Sequence, residues 1–185
     1  MTRYVYFTAT TLDGFLADEH DSLDWLLSQD IDPDGPFGHE AFAAQVGALV
    51  MGATTYRWVV DHLAESGEAW PYEQPTFVFT HGSPEPAAPT VRVVQGRPAE
   101  HRRAIEEAAG GRDVWVMGGG DLAGQCAEDG MLDEAMVAIA PVTLGAGAPL
   151  LPRRLDLSLR EVQRNRAFAC LHYDVVGLRE EAREK

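Results

Sequence analysis

The 185-residue chain is long enough for one domain with a sizeable core and too short for two ordinary ones. Hydrophobic residues at 45% and charged residues at 24% exclude wholesale disorder. A formal charge of −14 repels phosphate backbones, and the densest basic cluster, His101-Arg102-Arg103, runs at once into Glu106-Glu107 as a solvated helix face; a nucleic-acid role is disfavoured.

Taken in order, Arg3 to Thr8 (RYVYFT) is aromatic and β-branched and predicts a first, central strand. This apolar run is too short for a signal peptide, which points to a soluble, cytoplasmic protein. A polar segment from Asp18 to Gly38 follows, interrupted by Leu23, Trp25, Leu26 and Leu27. Glu40 to Val46 reads as a short helix and Ala48 to Met51 as a buried strand. Tyr56, Val59, Val60 and Leu63 give a helical stripe over Thr54 to Ala64. Strands at Thr76 to Thr80 and Val91 to Val94 precede a helix from Ala99 to Ala109, closed by Gly110-Gly111. Asp113 to Met117 is a strand, about Asp121 to Glu128 a helix, and Glu134 to Ile139 a strand. Ala167 to Cys170 and His172 to Val176 read as a terminal antiparallel pair, and the charged end from Arg179 to Lys185 as frayed or a short helix. Alternating strands and helices predict an α/β fold, a mainly parallel sheet with helices on both faces. No linker or repeat interrupts it, so residues 1–185 read as one domain.

Two junctions carry the chemistry. In DVWVMGGGDLAGQ a buried strand meets three glycines and then a helix start. Backbone N–H groups there can approach a pyrophosphate closely, and the helix dipole favours the anion. Gly118, Gly120 and Ala123 loosely fit a Rossmann fingerprint, but no acidic residue lies ~20 positions on to hold a ribose. In ALVMGATTYRWV, Gly52 ends a strand, and Thr54 and Thr55 offer hydroxyls and N–H groups at a helix start. Two such junctions in one small sheet can bracket a single extended dinucleotide.

The order of TATTLDGFLADEHDSLDWL, VMGATTY, TFVFTH, VMGGGDLA and IAPVTLGAGAPLL resembles the dihydrofolate-reductase superfamily, most closely its RibD C-terminal branch. The resemblance covers nearly the whole chain. It implies a dihydrofolate-reductase-like sheet with antiparallel C-terminal strands and NADPH as cofactor, with NADH not excluded. Gly52, Thr54 and Thr55 would meet the cofactor near its pyrophosphate, and Met117, Gly118, Gly119, Gly120, Asp121 and Leu122 would wrap it from the other side. Thr80 and His81 would line the adenosine side, and Ala9 and Thr10 would present backbone to the nicotinamide. The implied activity is reduction of a small pyrimidine- or pterin-like substrate. The first candidate is 5-amino-6-(5-phosphoribosylamino)uracil reduction, followed by dihydrofolate reduction; a non-catalytic nucleotide-binding protein of the same fold is the rival. The sequence departs from the family's pattern at Ala53, where many dihydrofolate reductases have arginine, and at Asp121, where a basic residue is frequent. It also has DHLAESGEAWPYEQP after the second helix, in place of a DDPxLxVR-like segment.

For proton delivery Asp24, beside Trp25, is the candidate acid, with an N-cap as its bland alternative. Asp13, Asp24 and Trp25 are the candidate substrate contacts, although Asp13, in Asp-Gly, reads first as a turn residue. The six histidines show no HExxH or HxxxH pairing, so no metal site is expected, and Cys126 and Cys170 read as buried and reduced. A homodimer is expected, built partly through the C-terminal strands and the uncharged Ala135 to Pro152 segment.

Overall fold

Residues 1–180 are described by the computed structural model. Apolar runs rich in β-branched and aromatic residues become the inner strands, and the striped segments between them become helices. In chain order the elements are β1 (Tyr4–Thr11), β2 (Phe15–Ala17), α1 (Asp24–Leu27), α2 (His39–Ala43), β3 (Val46–Gly52), α3 (Ala53–Ser66), β4 (Thr76–Phe79) and β5 (Val91–Val94). They continue as α4 (Pro98–Ala109), β6 (Asp113–Gly118), α5 (Gly120–Glu128), β7 (Glu134–Ala140), β8 (Ala148–Pro149), β9 (Leu155–Asn165) and β10 (Phe168–Leu178).

Eight strands form one sheet in the order β5-β4-β3-β6-β1-β7-β10-β9. The pairings from β5 to β7 are parallel, and those of β10 with β7 and β9 are antiparallel. The period-two alternation of β1 sends Tyr4 and Tyr6 to one face and Val5 to the other. On the first face they meet Ile105 and Ala109 of α4 and Leu122, Ala123 and Cys126 of α5. On the second, Val5 packs with Phe42 of α2, Tyr56 of α3 and Trp115 of β6. The mainly parallel sheet, the helices on both faces and the antiparallel tail are as the sequence leads one to expect.

The tail differs in detail. The two segments read as a terminal pair are one strand, β10, and its partner is β9, which the sequence reading left unassigned. Apart from Leu155 and Asn165, β9 is exposed along its length, so its residues LDLSLREVQRN lack the apolar density of an inner strand. The uncharged segment from Ala135 to Pro152 is not a free apolar rim. β7 lies between β1 and β10, with Ala135, Val137 and Ala140 buried, and Leu150 and Leu151 pack on the core. Most of the reading for Arg179 to Lys185 falls outside the described residues; Arg179 and Glu180 carry no regular structure.

Candidate functional site

The helix after β3 packs on one face of the sheet and the helix after β6 on the other, although β3 and β6 are neighbours. In a parallel sheet this divergence opens a crevice at the carboxyl ends of the strands. Here the crevice is a cleft of about 810 Å³. Its floor crosses residues at or just beyond the carboxyl ends of β5, β4, β3, β6 and β1. Four inter-strand steps span roughly 19 Å, a length suited to an extended dinucleotide.

At its centre two helix starts face each other. Gly52 is the N-cap of α3 and Gly119 that of α5, and neither helix has a side-chain cap. Their first-turn N–H groups therefore keep their partial positive charge for a ligand. A Cβ placed on Gly52 would lie 3.8 Å from the Gly119 nitrogen, so the two turns adjoin. Gly118 has φ 145°, a conformation open to glycine, and precedes a cis peptide to Gly119. A Cβ on Gly119 would meet nothing within 4 Å, whereas one on Gly120 would lie 2.2 Å from the Pro149 carbonyl oxygen. The three consecutive glycines thus have three different surroundings. Gly118 makes the turn, Gly119 leaves open space at the cleft, and Gly120 seats α5 against the β8 segment.

The arm toward β1 is lined by Thr8, Ala9, Leu16, Ala17, Asp21, Leu23 and Leu26, with Ala148 and Pro149 of β8 nearby. The other arm runs past Phe79, Thr80, His81 and Gly82 to Gly96 and Arg97, and Trp58 of α3 lines the wall. The Thr80 hydroxyl accepts a 3.0 Å hydrogen bond from the Gly82 N–H, which shapes that turn. Arg97 donates to Glu128 at 2.9 Å and to Asp129 at 3.1 and 3.3 Å. Arg153 in turn bridges Glu128 and Asp121. Hydrogen bonds from Arg97 first, and then from Arg153, hold the Glu128 carboxyl below the usual carboxylate range. Gln125 first, and then Arg153, do the same for Asp121.

All twelve residues expected around a cofactor line this cleft: Ala9, Gly52, Thr54, Thr55, Thr80, His81, Met117, Gly118, Gly119, Gly120, Asp121 and Leu122. The three expected substrate residues do not. Asp24 is exposed as the first residue of α1, outside the cleft lining. It is not the helix cap either, since the N-cap is Leu23. Trp25 is buried behind the wall, its indole N–H donating to the Leu16 carbonyl at 3.2 Å. Asp13 fastens two loops. Its carboxylate accepts from the Thr11 hydroxyl and from the N–H groups of Leu144 and Gly145, and the Thr11 bond leads in lowering its pKa. Thr10 lies outside the lining, its buried hydroxyl donating to the Phe15 carbonyl at 3.0 Å.

Sequence reasoning missed Asp21 and Arg97. Asp21 is the carboxylate that lines the β1 arm. Arg97 had a legible signal, because VVQGRPAE is a third strand-glycine-helix junction. Cys126 and Cys170 are free and buried, and burial pushes the Cys126 thiol up to about 12. Among the described residues no group of three His, Cys, Asp or Glu side chains could hold a metal ion, and no helix is long and apolar enough to cross a membrane.

Comparison with known proteins gives a consistent picture. The RibD C-terminal domain model matches residues 3–170. The uncharacterized protein YwjB of Bacillus subtilis (strain 168) is 30% identical over 177 residues, covering 92% of this chain and 97% of that protein. A crystal structure of a protein from Shewanella sp. PV-4, assigned to riboflavin biosynthesis, superposes with a TM-score of 0.75 at 27% identity, covering 95% and 99% of the two chains. The Thermotoga maritima diaminohydroxyphosphoribosylaminopyrimidine deaminase/5-amino-6-(5-phosphoribosylamino)uracil reductase shares the fold, with a TM-score of 0.65 at 15% identity; the match covers 94% of this chain and 56% of that one.

Proposed function

This chain belongs to the RibD C-terminal domain family, and on that premise we propose that it is a reductase using a reduced nicotinamide dinucleotide to reduce a small pyrimidine- or pterin-like heterocycle. The observation that carries the reading is the pair of uncapped helix starts, α3 and α5, adjoining across Gly52 and Gly119 at the centre of a cleft five strands wide. Such a pair suits a pyrophosphate. The open space at Gly119 suits a ligand's close approach.

When bound, the dinucleotide supplies a hydride. The chain's own residues do the rest. First-turn N–H groups of Thr54, Thr55, Asp121 and Leu122 hold the pyrophosphate. Thr8 and Ala9 present the end of β1 to the nicotinamide, and Leu16, Leu23 and Leu26 exclude water beside it. For proton delivery at this arm, Asp21 takes the role that the sequence suggested for Asp24. The free, buried cysteines accord with a reducing compartment such as the cytoplasm. The exposed apolar side chains of the β9–β10 hairpin accord with a homodimer.

The test is oxidation of NADH and NADPH in the presence of 5-amino-6-(5-phosphoribosylamino)uracil, dihydrofolate and simpler pyrimidines and pterins. Substrate-dependent oxidation is expected. Tight dinucleotide binding without turnover on any of them would favour a non-catalytic nucleotide-binding protein instead.

A further inference from the structure

The charges around the cleft say which dinucleotide it takes. Reduced nicotinamide dinucleotides share a pyrophosphate, and NADPH adds a 2′-phosphate on the adenosine ribose, a second dianionic group that needs its own cation. The two helix starts provide for the pyrophosphate and carry no cation beyond their N–H groups: α3 opens with Ala53, Thr54 and Thr55, and α5 with Gly120 and Asp121. The sequence holds a single lysine, Lys185, so the question falls on its arginines. Among the described residues lining the cleft, Arg97 is the one arginine. It stands at the end of the β4–β5 arm with His81, Gly82 and Gly96, where the adenosine lies if the nicotinamide is over β1. Arg57 is exposed on α3, outside the lining.

Arg97 is already engaged. Three hydrogen bonds of 2.9 to 3.3 Å tie its guanidinium to Glu128 and Asp129. Arg153 is spent in the same network, on Glu128 and Asp121. Two arginines against Asp121, Glu128 and Asp129 leave the network one negative charge in excess. A 2′-phosphate drawing Arg97 away would break these bonds and uncover two carboxylates beside a dianion.

We infer that the cleft selects NADH over NADPH, and that Glu128 and Asp129 set this preference by holding Arg97. The inference rests on the dinucleotide reading above, and one set of binding experiments separates the two. Equilibrium binding of NADH and NADPH is followed by quenching of tryptophan emission, Trp58 being in the cleft wall. The wild type is expected to bind NADH at least about tenfold more tightly than NADPH. Glu128→Gln combined with Asp129→Asn should free Arg97 and bring the two affinities to within about threefold, and adding Arg97→Ala should restore the gap. Equal or tighter NADPH binding by the wild type overturns the inference while leaving the cleft a dinucleotide site. An unchanged ratio in the double variant overturns the role of Arg97. Binding of neither dinucleotide overturns the reading of the cleft itself, and this inference with it.

Discussion

Gly118 and Thr55 come from different strand-to-helix junctions, yet a Cβ on Gly118 would lie 3.3 Å from the Thr55 hydroxyl oxygen. The turn after β6 is therefore folded directly onto the first turn of α3. That approach holds two helix starts side by side, and the proposed dinucleotide site follows from it.

Gly120 lines the cleft and also serves packing. Its missing Cβ would sit 2.2 Å from the Pro149 carbonyl and 2.5 Å from that of Leu150, both backbone atoms that cannot swing aside. Gly120→Ala is expected to lower stability by about 2 kcal/mol or more in urea unfolding, as overpacking does. An unchanged midpoint would show that the 148–152 segment yields easily.

Asp21 and Asp24 separate the carboxylate proposed above from the one drawn from sequence. Asp21→Asn is expected to reduce turnover of a pyrimidine or pterin substrate about a hundredfold, with dinucleotide affinity held. Asp24→Asn should leave both within about twofold, because its side chain lies outside the cleft. The reverse pattern would return the role to Asp24.

At the opposite end of the sheet, Glu134 accepts from Arg3 and Arg160 at 2.8 Å and pairs with His172 at 2.9 Å. Burial alone would raise its pKa; the His172, Arg160 and Arg3 interactions outweigh it and lower it. A depressed folded-state pKa contributes stability above the unfolded value of about 4.3, and this is lost as pH falls through the folded value. Glu134→Gln should therefore cost about 2 kcal/mol near neutral pH, and the gap to the wild type should close below about pH 4. A gap that stays constant through acid unfolding would show that the carboxylate's charge contributes nothing.

The homodimer expectation now rests on the hairpin alone. β9 is an edge strand, and Leu159, Val162 and Val176 are 55%, 58% and 68% exposed. The chain mass is 20.2 kDa, so light scattering should give about twice that value. Leu159→Glu with Val162→Glu should return it to the single-chain mass; a wild type already at that mass would refute the dimer.

The glycine junctions were legible because they are backbone requirements, which the local sequence records directly: Gly52 and Gly118 to Gly120 stand where strands turn into helices. The inner strands were legible for a similar reason, their burial showing as largely apolar, β-branched runs. β9 was not, since an exposed edge strand carries little apolar signal. Asp21 and Asp24 sit three residues apart in one polar segment, and nothing local distinguishes them. Both are exposed; the fold distinguishes them, since Trp25 buries toward Leu16 and leaves Asp24 outside the cleft lining that Asp21 joins. The junction at Arg97 was legible but its tether was not, because its partners, Glu128 and Asp129, lie more than thirty residues away.

The dinucleotide site is tested most directly at Gly119, where a side chain would enter open space at the cleft and the backbone, at φ −84° and ψ −172°, admits any residue. Equilibrium binding of NADH and NADPH would be measured on the wild type and on Gly119→Val, with melting temperatures recorded alongside. The variant should keep its fold, with a capping cost of about 1 kcal/mol at most. Its affinity for the better-bound dinucleotide should fall at least about tenfold, ~1.4 kcal/mol. A well-folded Gly119→Val that binds as tightly as the wild type would contradict the placement of the dinucleotide between α3 and α5.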